Sequence, residues 1–421
     1  MADVRGPDTT TTWAELMREA KGPLQEAMKF KTVLLSEIKR DKSPKRWSGK
    51  QVTVPIFTST AQGAGGMNET STFNDTLSVD VEQARILSGI VGMPIKVSSQ
   101  LLKQAVGDEN VWAEALPSKL ERAENAFGRV CNEMMTGFQV GSGGTALIRA
   151  VNGNTSASGG ATQNIDVGTT ANWHQLYVGR VVNVYVRSTG ALVSGSTMPV
   201  VITARSKTGG TITVKNIDNS NTSFATASAT DGIYIQGSYD KGIQGIGQAA
   251  ARTGTFENID KAAIEAWQGI DGRDGATTEV DPGIGVFDTA ERLVAEIRGT
   301  TPDFYLTDPA VVDKYTQGLT VQARWAGEDG ELKSGWTGVR YRNKLLVPDY
   351  DMKPKTSIGV QLEDMTLYTL DDGPDWDELD GAMFRRFDRS LPVEAWLVWY
   401  LQLGFHICNG TSEIGALSQA G

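Results

Sequence analysis

One stretch of the chain, Val111 to Phe138, repeats its apolar residues at a spacing that a helix satisfies and a strand does not. Trp112, Leu116, Leu120, Ala123, Phe127, Val130, Met134 and Phe138 follow one another at steps of three or four, the stripe of one buried helix face. Glu114, Lys119, Glu121, Arg122, Glu124, Arg129 and Glu133 keep the opposite side polar, and Asp108 and Glu109 stand before the start, where the helix dipole favours carboxylates. Pro117 either kinks the first turns or marks a second start. A helix of roughly 28 residues is about 40 Å long, well beyond the usual three or four turns. It reads as a strut across which other elements lie.

Around that strut, 421 residues leave room for two or three domains and a sizeable core. A net charge of -10 argues against a protein that grips nucleic acid directly, because positive charge supplies most non-specific DNA affinity. The two cysteines, Cys131 and Cys408, form neither a disulfide framework nor a zinc spacing and read as small core residues. The segment Met1 to Pro7 lacks the apolar centre of a signal peptide, and no run approaches 18 apolar residues. A soluble protein made in a cytoplasm, with no membrane partner, is expected. The 47 glycines, with abundant Ser, Thr and Asn, point to many turns and strands.

In chain order, Trp13 to Ile38 reads as one or two short helices on an N-terminal arm of residues 1–46, interrupted by Gly22 and Pro23. A basic knot ends the arm: Lys39, Arg40, Lys42, Lys45 and Arg46. It is either a solvated loop or a charged contact with an acidic surface on a neighbour. From Trp47 to Val97, Gln51 to Phe57 and Leu77 to Glu82 alternate apolar with polar around a loose Gly, Ala, Thr and Asn tip, which predicts a long two-stranded hairpin. Such a ribbon is marginal alone and makes physical sense lying on another subunit. Ile86 to Val97 reads as one buried strand, and Ser98 to Gln104 as a short helix leading into the strut.

Residues 165–236 differ from the rest. Val178 to Arg187, Met198 to Arg205, Gly210 to Ile217 and Gly232 to Gln236 are strand candidates, so this reads as a small β-rich unit inserted between halves of an α/β domain. Asp288, with Glu291 three residues on and Gly299 at the end, predicts a capped helix; Asp308 and Pro309 open another that Gly318 closes. Phe304 to Leu306, Lys344 to Pro348 and Ser357 to Leu370 read as strands. Glu363 to Asp380 holds eight acidic residues and no basic one, either a solvated loop or the counterpart of the basic knot. The run Leu391 to Ile407 reads as strands returning to the core.

No catalytic constellation is legible. The two histidines, His174 and His406, have no Cys, His or Glu-x-x-His partners nearby, and neither sits by a nucleophile elbow; His406 reads as a satisfied interior histidine. Gly141 to Gly144 is not followed by Gly-Lys-Ser/Thr, and Gly242 to Gly247 has the wrong spacing for a dinucleotide fingerprint. Asp218 to Thr222 resembles a calcium loop but has Ser223 for its glycine and Ala229 for its glutamate. No enzyme activity, cofactor or metal is expected.

The order of arm, long hairpin, short helix beginning Ser98-Ser99-Gln100-Leu101-Leu102, strut, glycine turn, α+β sections and final strand return resembles the tailed-bacteriophage major capsid protein family, the Hong Kong 97 fold, over essentially the whole chain. The segments that carry the likeness are Val97 to Phe138, similar to that family's spine-helix region, and Asp303 to Leu319 with Val347 to Leu370, similar to its axial domain. The resemblance implies an N-terminal arm (1–46), an extended loop and return strand (47–97), a peripheral domain with the spine helix (98–140), an axial domain (141–164 and 237–370), a β-rich insertion (165–236), and C-terminal peripheral strands and tail (371–421). It implies a shell subunit that assembles with itself as hexamers and pentamers, in the host cytoplasm, around DNA that it contacts without sequence specificity. A scaffolding protein, portal and decoration proteins are the further partners. Contacts between subunits would fall on Lys39, Arg40, Lys42, Lys45 and Arg46, on Asp371, Asp372, Asp375 and Asp377, and on Trp47, Phe57 and Phe73 of the extended loop. Charge reversal at Arg40, Lys45 and Arg46 should then weaken assembly and leave the subunit folded. No lysine lies between Gln51 and Ile95, which argues against cross-linking through the loop, and the arm starts almost at Met1, so any scaffold is expected to be a separate protein. The alternatives are an encapsulin-like shell around a cargo enzyme and, further off, a β-rich carbohydrate-binding surface protein or an unrecognised hydrolase.

Overall fold

The computed structural model describes residues 32–41, 47–57, 81–97, 122–123, 125–137, 147–152, 162–193, 199–218, 229–319, 329–331, 337–371, 373–378, 381, 385–386 and 393–419. The expected helix at 98–104, the first turns of the strut, the hairpin tip, the Gly141 to Gly144 turn and most of the rejected calcium loop lie outside these residues.

Thirteen residues, Val393–Phe405, form one strand where the sequence suggested several. Its alternation explains the length: Ala395, Leu397, Trp399, Leu401, Leu403 and Phe405 all turn into the core, a period of two maintained without a break. Gly89–Val97 runs antiparallel along one side in a nine-residue register from Val393↔Val97 to Leu401↔Gly89. Along the other side three short strands lie end to end: Met365–Thr369, Asp375–Trp376 and Arg385–Arg386. Arg40–Asp41 adds a parallel strand beside Leu367 and Tyr368. Ile86 to Val97 is therefore two strands. The chain breaks at Ser88, whose N–H goes to Lys50 O at 3.0 Å, and Val81–Leu87 belongs to the hairpin while Gly89–Val97 joins the long strand.

The hairpin pairs Gln51–Phe57 with Val81–Leu87, with Trp47–Ser48 as a third strand. Val52, Val54, Ile56, Ala84 and Ile86 are buried in the core of the same chain. Gly404 lies under Ile86: a Cβ there would stand 2.4 Å from Ile86 Cδ1 and 2.6 Å from the Tyr368 ring, so the missing side chain is what lets the hairpin base seat on the long sheet. The base thus belongs to its own subunit, in contrast to the expectation that the whole ribbon lies on a neighbour.

The strut is helical at 122–123 and 125–135. Phe127 and Met134 are buried as the stripe requires, but Cys131, Asn132, Glu133 and Met135 are buried as well. The polar face expected to meet solvent is covered at this end, because the β-rich unit packs on it.

That unit is a six-stranded antiparallel sheet ordered Leu147–Ala150, Asp231–Ile235, Val181–Val186, Val200–Ser206, Thr211–Asn216, Gln163–Asp166. Its end strands meet through Asn152 N to Asp166 O at 2.9 Å and Arg149 Nε to Val167 O at 2.9 Å, so the sheet curls back on itself around Ile165, Val182, Val184, Ile202, Ile212 and Ile233. Leu147–Ala150 is one of its strands, so the unit reaches back from 165 to 147. Its weak alternation and the glycines around it concealed this strand from the sequence.

The third layer is a seven-stranded mixed sheet in the order Ile270–Asp271, Ser412–Ile414, Ser357–Val360, Phe304–Thr307, Lys344–Pro348, Thr337–Tyr341, Asp329–Glu331. Helices Ile284–Arg298 and Pro309–Gly318 cover it through Phe287, Ala290, Val311 and Tyr315. The second begins as predicted, with the Asp308 carboxylate accepting from Ala310 N and Pro309 in the first turn. The first begins four residues before Asp288, at Ile284 after the N-cap Gly283, and Asp288 lies inside it, taking the Tyr341 hydroxyl and, at 2.8 Å, Arg342. Its end at Gly299 (φ 76°) is as expected. The architecture is a mixed α and β fold, with helices laid on sheets.

Candidate functional site

The residues expected to act are those of the basic knot, the acidic run and the hairpin. Among the described residues no group of three or more His, Cys, Asp or Glu side chains could hold a metal, and no helix is long and apolar enough to cross a membrane. Cys131 and Cys408 are free and fully buried, and burial pushes both thiols up.

Of the basic knot, Lys39 is exposed and Arg40 is half-buried; Lys42, Lys45 and Arg46 lie outside the described residues. Arg40 makes contacts within its own chain. Its Nη2 donates to Leu35 O at 3.0 Å and its guanidinium lies 5.9 Å from the Trp399 ring centroid, so it ties the helix Val33–Glu37 to the long strand. Burial lowers its pKa. Arg40→Glu is therefore expected to destabilise the subunit itself, by about 1 to 3 kcal/mol, a shift that urea unfolding at fixed pH would read. The acidic stretch is likewise no single solvated loop. Asp364 is 4% exposed and paired with Arg298 at 2.8 Å, and Met365–Thr369 is a fully buried strand. Asp371 is exposed, Asp375 and Asp377 are half-buried beside the long strand, and Asp372 lies outside the described residues.

The hairpin base presents its other row of side chains outward. Val81 is 50% exposed and Leu87 61%, with Ile90 at 54% on the adjoining strand. Trp47 is half-buried against the core. Phe57 pairs with Val81 through its backbone, its side chain and Phe73 lying outside the description. One edge of the hairpin is already held: Arg85 N donates to Glu257 O at 3.0 Å. The row runs Val81, Gln83, Arg85, Leu87, so its two ends expose aliphatic side chains and its middle is polar, a mixed surface of the kind that contacts between copies cover.

Sequence reasoning missed the polar junction where strut, β unit and seven-stranded sheet meet. Asn132 on the strut sends its amide to Asp349 Oδ1 at 3.2 Å and Asp351 Oδ2 at 2.7 Å; His174 Nδ1 lies 3.2 Å from Asp351 Oδ1; and Arg180 forms a bidentate pair with Glu133, Nη1 to Oε1 at 2.9 Å. The sequence signal was weak: an Asp-Tyr-Asp after a strand and a histidine with no neighbour in sequence. Burial raises the Glu133 carboxyl, against the pull of Arg180. Burial, then the charge of Asp351, raises Asp349 from 3.8 to about 6. Between these two values the folded chain binds more protons than the unfolded one, so this group's contribution falls as pH rises through the window. Acidifying from pH 7 to 5 is expected to recover about 1 kcal/mol at this site. Asp349→Asn should flatten that part of the Tm profile between pH 4 and 7 and raise Tm at pH 7.

No family profile matches the chain, and no curated protein matches it in sequence. Among solved structures, the capsid asymmetric unit of cyanophage A-1(L) matches with a TM-score of 0.51 and 11% identity, over 91% of this chain and 91% of that one. Mycobacterium phage Adephagia matches with a TM-score of 0.41 and 9% identity, over 92% and 90%. The encapsulin complex from Synechococcus elongatus PCC 7942 matches with a TM-score of 0.27 and 10% identity, over 35% of this chain and 57% of that one. The cyanophage likeness leaves little of either chain unaligned. The protein thus has the fold of a tailed-bacteriophage major capsid subunit.

Proposed function

We propose that the protein is a major capsid protein of the Hong Kong 97 type, which assembles with itself as hexamers and pentamers into the icosahedral shell of a tailed bacteriophage and encloses its double-stranded DNA. The observation that carries this reading is the match to the cyanophage capsid subunit over 91% of both chains. The physics is consistent with it. A hairpin whose base is seated on its own subunit and whose outward row exposes Val81 and Leu87 has apolar surface left to bury, and closed-symmetry contacts between identical copies supply the cover. A net charge of -10 repels packaged DNA and lets it slide, which suits containment. A separate scaffolding protein, a portal and decoration proteins complete the proposed partners.

Negative-stain microscopy with light scattering on the purified protein tests the reading. Uniform hollow particles, or rings of five or six, are expected, alone or on adding the scaffold. A monomer that stays monomeric at high concentration with scaffold present would sink it, and particles that retain a cargo protein and never DNA would favour an encapsulin-like shell. Within the shell reading, Val81→Glu with Leu87→Glu is expected to leave the subunit's stability within about 1 kcal/mol of wild type and to lower particle yield severalfold. Unchanged yield would remove this row from the contact surface.

A further inference from the structure

The β unit of residues 147–236 has its own core, and of its strand residues Ile235 alone packs against the core of the body. What joins them on the strut side is the segment 172–180, whose contacts are mostly polar, with the His174 ring 5.5 Å from that of Tyr350. Asn172 Nδ2 donates to Tyr350 O at 2.9 Å and Met352 O at 3.0 Å, Gln175 Nε2 donates to Asp351 O at 3.1 Å, His174 faces Asp351, and Arg180 pairs with Glu133. Arg129 lies 4.4 Å from the centroid of the Tyr177 ring and donates to His174 O. Space remains on both sides of this seam: a cavity of about 460 Å³ floored by Asp349 and walled by Arg129 and His174, and one of about 100 Å³ between Glu133 and Lys353. Where the chain leaves the unit, Gly237 (φ 66°) and Asp240 (φ 53°) take left-handed backbone turns before Gly245 abuts the end of the strut.

Polar contacts exchange for water at little net cost, and a buried ion pair returns about what its desolvation costs. A seam made of such contacts, with unfilled space beside it, opens far more readily than either apolar core. We propose that the seam is a latch, and that the β unit is a rigid body that swings about the turns at Gly237 and Asp240 when Arg180–Glu133 and His174–Asp351 part, uncovering the Asp349 floor. The motion separates the unit from the strut while each keeps its own core.

Hydrogen exchange of the full-length protein, read by mass spectrometry, tests this. In Glu133→Gln with Arg180→Gln, which removes both charges of the buried pair and leaves only the part-exposed Arg129 without its carboxylate, the amides of 172–180, 236–242 and 349–352 are expected to exchange about tenfold faster or more. Strands 200–206, 211–216 and 231–235 should keep wild-type protection. Equal acceleration in those strands would overturn the proposal, since the seam would then be holding the unit folded. So would no change at the seam. Asn172→Ala, which removes two hydrogen bonds and no charge, gives the same readout on a milder change and decides the matter if the double variant does not fold.

Discussion

Gly269→Ala is expected to yield almost no folded subunit. A Cβ at this position would stand 2.0 Å from Ala250 O, 2.2 Å from Ala250 C and 2.6 Å from Ala250 Cα. All three are backbone atoms, so no side chain can rotate out of the way; one strand of chain must move. Ala250 ends the short helix Ile246–Ala250, and Gly269 N donates to Ala251 O at 3.2 Å just before Ile270 joins the seven-stranded sheet. Separating the two segments breaks that bond and unseats Trp267, which is fully buried. Overpacking of side chains typically costs about 1 to 3 kcal/mol; a clash of backbone with backbone should exceed ~4 kcal/mol, a large share of a domain's marginal stability. Gly285→Ala is the control: it lies on the exposed side of the helix Ile284–Arg298 with nothing within 4 Å of its Cβ, and it should stabilise by about 0.5 to 1 kcal/mol. Soluble yield and thermal unfolding of the two variants side by side would settle it. A Gly269→Ala protein melting within a few degrees of wild type would mean that the approach is looser than described.

Lys261→Met should have the second largest effect, at the same knot. Lys261 is 1% exposed, and its Nζ donates to Gln248 O at 2.7 Å, Ala249 O at 2.6 Å and Ala251 O at 2.7 Å. These carbonyls belong to the end of the short helix, where no intrahelical donor is available. The ammonium satisfies all three and complements the negative end of the helix. Beside it Glu257, also 1% exposed, accepts from Phe405 N at 3.1 Å and carries an oxygen with no partner in the structure. Burial pushes the Glu257 carboxyl well up and the Lys261 ammonium down to about 8, and each charge offsets part of the other's cost. Methionine keeps the volume and leaves three carbonyls and a carboxyl unanswered, so a loss of about 3 to 5 kcal/mol is expected from urea unfolding. Lys261→Met with Glu257→Gln should recover part of that loss, because the buried acid no longer lacks its counter-charge. No recovery would show that the carbonyls alone account for the effect.

Reading the chain by itself went furthest where one local rule governs many residues. The period of Ala123, Phe127, Val130 and Met134 implied the strut, and the alternation around Val52, Val54 and Ile56 implied the hairpin. Asp308-Pro309 and Gly299 marked helix ends, and the four strand candidates between Val178 and Gln236 all fall on strands of the β unit. Burial period and capping depend on neighbours within a few positions, so they are written in sequence.

The candidate site was less legible, because what decides it is which segments meet. The charges of Arg40 and of the acidic run read alike whether they face water or a core, and only the pairing of Arg40–Asp41 with Leu367 and Tyr368 turned the first into a packing residue. Glu133 sits on the polar side of the stripe in any helical plot, and it is buried because Arg180, 47 positions away, comes down on it. The break at Ser88 is invisible in an unbroken apolar run, since it marks where one strand leaves the hairpin for another sheet. Local periodicity thus determined the elements of this protein. Long-range contacts alone decided which faces of them became core, seam or open surface, because burial is a property of partners and not of the residue that is buried.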